Sequence, residues 1–448
     1  MSFIKRSWVW LLLLPILACL VALRSYAYGD LRLAVATTDT ESYIESARAP
    51  LTQNTLTGVR LFTTNLLFKL MAGDDCASPP FSIPARGEEI YRSRQLCFDS
   101  IILIQNIFSM IGWGLLAIVL ARRLAGFYSK LLAMVLIPAF GFTPPIADWD
   151  SILGSESLTF SLFAIGLACI LEISFQVFAT EGNFFQKWLL PLLTTVVLIL
   201  WVFTRDANIY TLIILSVLAI PLFMSQRIWK QKQLVLTILG LALISIIGMQ
   251  SATASGRWKT PLTNAFNDLI LPYPTRETYM RDLGMPDPAS SAYEEWFREN
   301  ATRAYGQFLV SHPGYVAATL IPNLEPLFSD NSQPYFLYEK STLRNSLLVA
   351  GNIMHPTTYL ILILDILLVI ALLVSALNLR GQKEIIWAWS GLWLFISAST
   401  TLFISYFADS IGVTRHTLFS VGMFRLMFWL FLIVLIDIAA TGGSDQPI

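Results

Sequence analysis

SIILIQNIFSMIGWGLLAIVL, residues 100–120, is followed after Ala121 by Arg122 and Arg123. An apolar run of about 20 residues is what a helix needs to cross a bilayer. A barrel strand would be about half as long and would alternate polar with apolar positions, which this run does not. The arginines, with Lys130 just beyond, mark its far end as cytoplasmic. The rest of the chain agrees. Of 448 residues, 55% are hydrophobic and only 13% charged, against about 25% charged in soluble domains. Thirty basic residues balance thirty acidic ones, which gives no basic surface for a nucleic-acid partner. The expected fold class is an all-α polytopic membrane protein.

Nine more apolar runs flank this one, at 8–23, 131–145, 158–178, 188–203, 209–224, 234–249, 359–377, 385–407 and 418–438. The run at 131–145 is short and broken by Pro138, Gly141, Pro144 and Pro145. The first run reads as a retained helix, although Ser25-Tyr-Ala27 loosely resembles a signal-peptidase site. About ten transmembrane helices are therefore expected. With both termini in the cytoplasm, the basic residues Lys5/Arg6, Arg122/Arg123/Lys130, Lys187, Arg227/Lys230/Lys232 and Arg380/Lys383 all fall inside. Both long loops, about 29–99 and 251–356, then fall on the extracytoplasmic side. The expected organisation is an N-terminal membrane module (1–250), the long loop (251–356) and a C-terminal membrane module (357–448).

The first loop opens with TTDTESYIESA, residues 37–47. Asp39 and Tyr43 are four apart and share a helix face. Two readings fit: an acidic first turn suited to a helix dipole, or the entrance of an active site. Residues 59–71 read as an interfacial helix, with Leu61, Leu66, Leu67, Leu70 and Met71 apolar and Arg60 and Lys69 as anchors. Cys76 and Cys97 lie in the same loop, where an oxidising compartment favours a disulfide worth about 3 kcal/mol. Cys19 and Cys169 sit in apolar runs and read as core residues.

Four further constellations lie at the extracytoplasmic ends of the runs. Asp148 and Asp150 could ligate a divalent cation such as Mg or Mn through oxygen, or serve as a general base; Ser155 and Glu156 could equally cap the next helix. Arg205-Asp206 fills a tight turn, as a structural pair or as a phosphate clamp. Arg415-His416, with Asp409 upstream, suits a phosphate headgroup. His312, in Ser311-His-Pro-Gly-Tyr315, follows an amphipathic stretch at 293–309 and fits a turn between helices. Asp365 and Arg425 lie mid-run at equal depth, roughly 10–15 Å below the surface at about 1.5 Å per residue, and are expected to pair and lock two helices. No zinc spacing, nucleophile elbow or phosphate-binding glycine loop is present.

In order and sidedness these elements resemble the GT-C superfamily of polytopic glycosyltransferases, which includes protein O-mannosyltransferases, aminoarabinose transferases and oligosaccharyltransferase catalytic subunits. The resemblance rests on Asp39-Thr-Glu-Ser-Tyr43 opening a long first loop, Ser155-Glu-Ser-Leu158, Arg205-Asp-Ala-Asn208, His312-Pro-Gly-Tyr315 and Arg415-His416. It implies a hexosyl or pentosyl transferase moving a sugar from a polyprenyl-phosphate donor to a glycan, lipid or protein acceptor. Asp39 would be the base or the carboxylate nearest the anomeric carbon. Glu156, with Asp148 or Asp150, would complete the acidic side or hold a metal. Tyr43, Arg205, Asp206, His312, Arg415 and His416 would bind substrate. A paired acid at position 39 is lacking, and acceptor recognition would fall to the two long loops. Rival classes are a glycan polymerase or ligase using a diphosphate-linked donor, kept open by Arg276, Arg281, Arg298 and Arg303, and a lipid-linked glycan flippase built on Asp365 and Arg425.

Overall fold

The computed structural model describes residues 2–50, 54–72, 90–95, 97–176, 188–221, 229, 231–330, 332–337 and 341–442. The chain is helical almost throughout. After α1 (Ser2–Tyr28), the first loop carries β1 (Leu33–Ala34), α2 (Thr40–Arg48), α3 (Asn54–Thr57), α4 (Phe62–Met71) and β2 (Ser93–Arg94). The two strands pair antiparallel, with Leu33 opposite Arg94. Then come α5 (Asp99–Arg123), α6 (Phe127–Phe142), α7 (Pro144–Ala147) with a 3-10 turn at Asp148–Ser151, α8 (Glu156–Gln176), α9 (Leu190–Val202), α10 (Asn208–Ala219) and α11 (Lys232–Ser255). The second long loop holds α12 (Lys259–Ala265), α13 (Pro274–Asp282), α14 (Ser291–Ser311), α15 (Pro313–Ser329) and α16 (Thr342–Met354). Last are α17 (Leu360–Leu379), α18 (Gln382–Phe407) and α19 (Val413–Thr441).

Among the described residues, seven helices are long and apolar enough to cross a membrane: α1 from Trp8, α5, α8, α11, α17, α18 and α19. α6 with the segment Pro144–Ser151 makes an eighth candidate, bent by 47°. The bend has a local cause. Thr143 precedes Pro144 and is extended, at φ −90° and ψ 156°, because a residue before proline is pushed out of the helical region. α9 and α10 are apolar but have 13 and 12 residues. At about 1.5 Å per residue they reach roughly 20 Å, short of a bilayer's ~30 Å. Among the described residues, seven of the ten expected crossings, or eight with the bent segment, have the full length, and the other two runs form shorter apolar helices. All ten expected runs are nonetheless helical over most of their described residues, the break at Thr143 apart.

Their direction alternates between two ends. At one end, Arg123 at the close of α5 bonds Glu172 near the close of α8 at 2.7 Å. There too, Asp437 of α19 accepts from the backbone of Ala125 and Gly126, entering α6, at 2.8 and 2.7 Å. The starts of α5, α8, α10 and α19 and the close of α1 gather at the other end. α8 is buried on nearly every side and is the centre of the bundle. Its neighbours approach closely through small residues, as helices without a hydrophobic drive between them tend to: Gly112 of α5 sits against Ser161 and Ala164. At Gly141 of α6, a Cβ would fall 2.1 Å from the Trp113 indole.

Two expectations need correction. The residues expected as polar anchors of the helix at 59–71 do not point to a membrane surface but bond within the protein. Thr63, Thr64, Asn65 and Phe68 of α4 are buried, whereas Leu70 and Met71 are exposed. Arg60 and Lys69 serve as internal ties, Lys69 donating to the carbonyls of Ala47 and Ala49 at 3.3 and 3.1 Å. Nor do Asp365 and Arg425 pair. Arg425 donates to Phe328 O at 2.6 Å and Pro356 O at 3.1 Å, so it secures the second loop onto α19. Neither oxygen of buried Asp365 meets a donor among the described residues. Cys76 lies outside the described residues, and so does its proposed pairing with Cys97.

Candidate active site

The loop before α8 and the start of α2 are sewn together by backbone bonds. Val35 N donates to Ser151 O (2.9 Å) and Leu153 N to Val35 O (3.0 Å). Thr40 Oγ1 accepts from Thr37 N at 2.8 Å and donates to Leu153 O at 3.0 Å. This clamp brings the first turn of α2 alongside the first turn of α8, and Asp39 beside Glu156. Asp39 stands at the N-cap of α2 yet makes no capping bond with its side chain. Its carboxylate is turned to two guanidiniums, so the simple dipole reading of residues 37–47 does not account for it.

Arg60, from the turn before α4, donates to Asp39 Oδ1 at 2.7 Å and to Ser42 Oγ at 2.7 Å. It lies 4.3 Å over the Tyr43 ring, a placement that a cation gains from an aromatic face. Tyr43 is buried and stacks on Phe68 at 5.7 Å, so it fixes Arg60 from behind. Arg415, in the first turn of α19, donates to Asp39 Oδ2 at 2.5 Å and to Glu156 Oε1 at 2.6 Å. Arg205, from the turn between α9 and α10, donates to the same Glu156 oxygen at 3.0 Å. The chain enters α19 through Gly412 at φ +64°, a left-handed conformation that favours glycine.

Three guanidiniums therefore face two carboxylates, which leaves one positive charge in the cluster. Burial resists ionisation of Asp39, but Arg415 and then Arg60 outweigh it and hold its carboxyl below the usual range. Glu156 is 1% exposed, and its Oε2 has no hydrogen-bond partner among the described residues. That oxygen points toward Gly154, where a Cβ would come within 2.5 Å of it. An acceptor atom buried without a donor is costly.

No protein-family model matches this chain, and no curated protein is similar to it in sequence. Among solved structures, it is similar to an oligosaccharyltransferase from Archaeoglobus fulgidus in complex with zinc and sulfate, at 12% identity and a TM-score of 0.45, over 96% of this chain and 50% of that one. It is also similar to the archaeal oligosaccharyltransferase AglB from Archaeoglobus fulgidus in complex with an inhibitory peptide and a dolichol-phosphate, at 12% identity and a TM-score of 0.47, over 99% of this chain and 53% of that one. The chain thus spans about half the length of either structure. The likeness is one of overall shape and assigns no residue.

The remaining candidates divide. Asp206 does not pair with its neighbour Arg205; it takes Arg257 at the end of α11 in a two-pronged contact of 2.9 Å on each arm. His416 is half-exposed beside the cluster, 3.6 Å from Asp409. His312 belongs elsewhere, between the rings of Tyr279 and Phe308 with Nδ1 2.9 Å from Phe308 O, inside the apolar cluster of the second loop.

Asp148 and Asp150 are buried next to the site, each with its own counter-ion. Asp148 accepts from Arg344 Nη2 at 2.6 Å and from the Tyr28 hydroxyl at 2.9 Å. Asp150 is bound by Arg24 and by Ser157 Oγ, the latter at 2.5 Å. A divalent cation there would have to displace guanidiniums from both carboxylates, so this donor set does not fit a metal. Nor does a group of three or more His, Cys, Asp or Glu converge among the described residues.

The partners that neutralise these acids are what sequence reading missed. Tyr28, Arg344 and Tyr335 carried no local signal. Tyr335 brings the second loop to the site, its ring 5.7 Å from the Arg415 guanidinium and edge-on to Trp149. The only hint was Arg24 itself, a charge at the end of an apolar run, where an unpaired cation is costly.

Proposed function

We propose that this protein is a membrane glycosyltransferase that moves a sugar from a polyprenyl-phosphate donor to an acceptor hydroxyl or amine on the extracytoplasmic face. The observation that carries the reading is the cluster itself: two carboxylates from separate elements converge on Arg415, flanked by Arg205 and Arg60, with cation in excess. A phosphate fits that excess. In the reaction, the acceptor's O–H or N–H loses its proton to Asp39 while the acceptor atom bonds to the anomeric carbon. The bond from that carbon to the phosphate oxygen breaks, and the phosphate leaves with the electron pair. Arginines aimed at the departing phosphate stabilise the charge that develops there.

The clasp also sets an order. While Arg415 holds Asp39, that carboxylate is a weak base, because catalysis by a base improves as its pKa nears the working pH. Donor phosphate competing for Arg415 would release Asp39 and raise its basicity at the moment the sugar arrives. The two rivals draw no such support. In the second loop, Arg276 donates to Leu269 O and lies over the Tyr273 ring, and Arg281 pairs with Glu277. Neither joins the cluster, as a diphosphate-linked donor would require. A flippase needs a polar path through the bundle, and Asp365 and Arg425 do not meet.

The test is consumption of radiolabelled polyprenyl-phosphate sugars by the protein in lipid nanodiscs. We expect wild type to transfer sugar and Asp39→Asn to lose roughly 10²–10⁴-fold, the range for a general base, while still binding donor. Equal turnover in both proteins would remove Asp39 from this role.

A further inference from the structure

Next to the cluster lies a cavity of about 370 Å³ with a mixed lining, Ala47, Ala49 and Val59 among polar side chains, near the lower end of the roughly 300–1,000 Å³ typical of ligand pockets. Four elements wall it: α2, the turn at 57–59, α4 and the last residue of α11. Its lining is rich in groups that hydrogen-bond: Ser42, Glu45 and Ser46 on one wall, Asn65 and Lys69 on another, Ser255 opposite. No aromatic ring lines it.

Asn65 gives the decisive detail. The residue is 4% exposed. Its Nδ2 donates to Arg60 O at 2.9 Å, but its Oδ1 meets no donor among the described residues. A buried amide oxygen left without a donor costs about 1–3 kcal/mol, so this wall carries an unsatisfied acceptor. Lys69 spends two of its three N–H groups on the carbonyls of Ala47 and Ala49. The cavity is joined to the reacting cluster by a short relay: Ser42, on its wall, accepts from Arg60, and Arg60 bonds Asp39.

We infer that this cavity is a binding subsite for a carbohydrate, the hydroxyl-rich end of the acceptor, which it holds with one hydroxyl directed toward Asp39. The inference rests on the transferase reading for the word acceptor, but the carbohydrate subsite stands on the cavity alone. An unsatisfied amide oxygen, a lysine, a carboxylate and several hydroxyls match the mixed donors and acceptors of a sugar ring. A lipid tail or an apolar peptide side chain would leave them unpaired.

The experiment is saturation-transfer NMR on the full chain in nanodiscs, with the methyl glycosides of xylose, mannose and N-acetylglucosamine as probes. Wild type should transfer signal to at least one of them. Ser46→Phe and Ser255→Trp, which fill the cavity from opposite walls, should each cut that signal at least tenfold. Val310→Trp, on the exposed face of α14, should leave it unchanged, and all variants should elute as wild type does. No signal from any of the three sugars, or signal that survives both fillings, would overturn the subsite. If wild type binds sugar and both fillings abolish it while no donor is consumed, the subsite stands and the transferase reading falls.

Discussion

Arg415 donates from Nε to Glu156 and from Nη1 to Asp39, a planar two-directional contact that a lysine ammonium cannot reproduce. Arg415→Lys should therefore lower kcat by about 10²–10³-fold, the usual loss when a donor to a developing oxyanion is removed, although the charge is kept. A kcat within threefold of wild type would show that only net charge matters there. The same residue sets the acidic limb. Asp39's folded pKa is depressed below the ordinary carboxylate value, about 3.9 for a free aspartate. Whatever its ionised form contributes is fully present above that value and is lost as pH falls through the lower folded one. In wild type, kcat/KM should hold down to about pH 4 and fall below it. In Arg415→Gln, Asp39 loses the larger of its two cation partners, and the limb should move to higher pH. A limb that stays in place would assign it to another group.

At the scale of elements, the ion pairs beside the site act as fasteners. Arg24 of α1 bonds Asp150 in the turn before α8, and also Ser109 and Asn106 of α5, at 3.0 and 3.2 Å. Removing one partner leaves the other charged and buried, which costs about 3–5 kcal/mol, whereas replacing both by apolar residues can be neutral. Asp150→Ala should lower the unfolding free energy in mixed micelles by that amount, and Arg24→Met/Asp150→Leu should recover most of it. Equal losses in the single and double variants would show that the pair contributes through something other than charge. His355, at the close of α16, is a second fastener. It stacks on Phe140 at 4.2 Å and its ring Nε2 lies 2.9 Å from Phe140 O. Burial, with Arg425 nearby, lowers its pKa to about 3, against about 6.5 unfolded. The unfolded chain therefore binds the proton first, so stability should be full above about pH 6.5 and decline toward pH 3. His355→Gln should flatten that decline in Tm; an unchanged slope would place it on the carboxylates.

At the scale of the whole molecule, the alternation of helix direction makes a sharp statement about sides. All of Asp39, Glu156, Arg205, Tyr335 and Arg415 lie at one end of the bundle, and Arg122, Arg123 and Glu172 at the other. By the positive-inside rule we expect the basic end to face the cytoplasm. Single cysteines at Ser332 and at Gln382 in a cysteine-free chain should then differ: a membrane-impermeant maleimide applied to intact cells should label Ser332→Cys and not Gln382→Cys. The reverse pattern would place the site on the cytoplasmic face and exclude an extracytoplasmic acceptor.

The helices were legible in the sequence because membrane crossing is a one-dimensional demand: enough consecutive apolar residues, basic residues at one end, prolines where the chain bends. The run at 100–120 shows this, and α5 extends only a few residues beyond it. The amphipathic stretch at 293–309 was legible for a similar reason, since its apolar spacing is that of the face α14 buries. Asp39, Glu156, Arg205 and Arg415 could be marked as candidates, because charge at the mouth of an apolar run is conspicuous. Their partners could not. Asp39 and Arg415 are hundreds of positions apart, and Asp365 and Arg425 matched in depth without meeting, because depth fixes one coordinate and rotation about each helix fixes the other. The sequence by itself determined which apolar runs form helices and which ends carry charge. Only the tertiary structure decided which charges touch, that an arginine stands on each acid proposed for a metal, and that a cavity opens next to the cluster, because those depend on how helices turn and pack against one another.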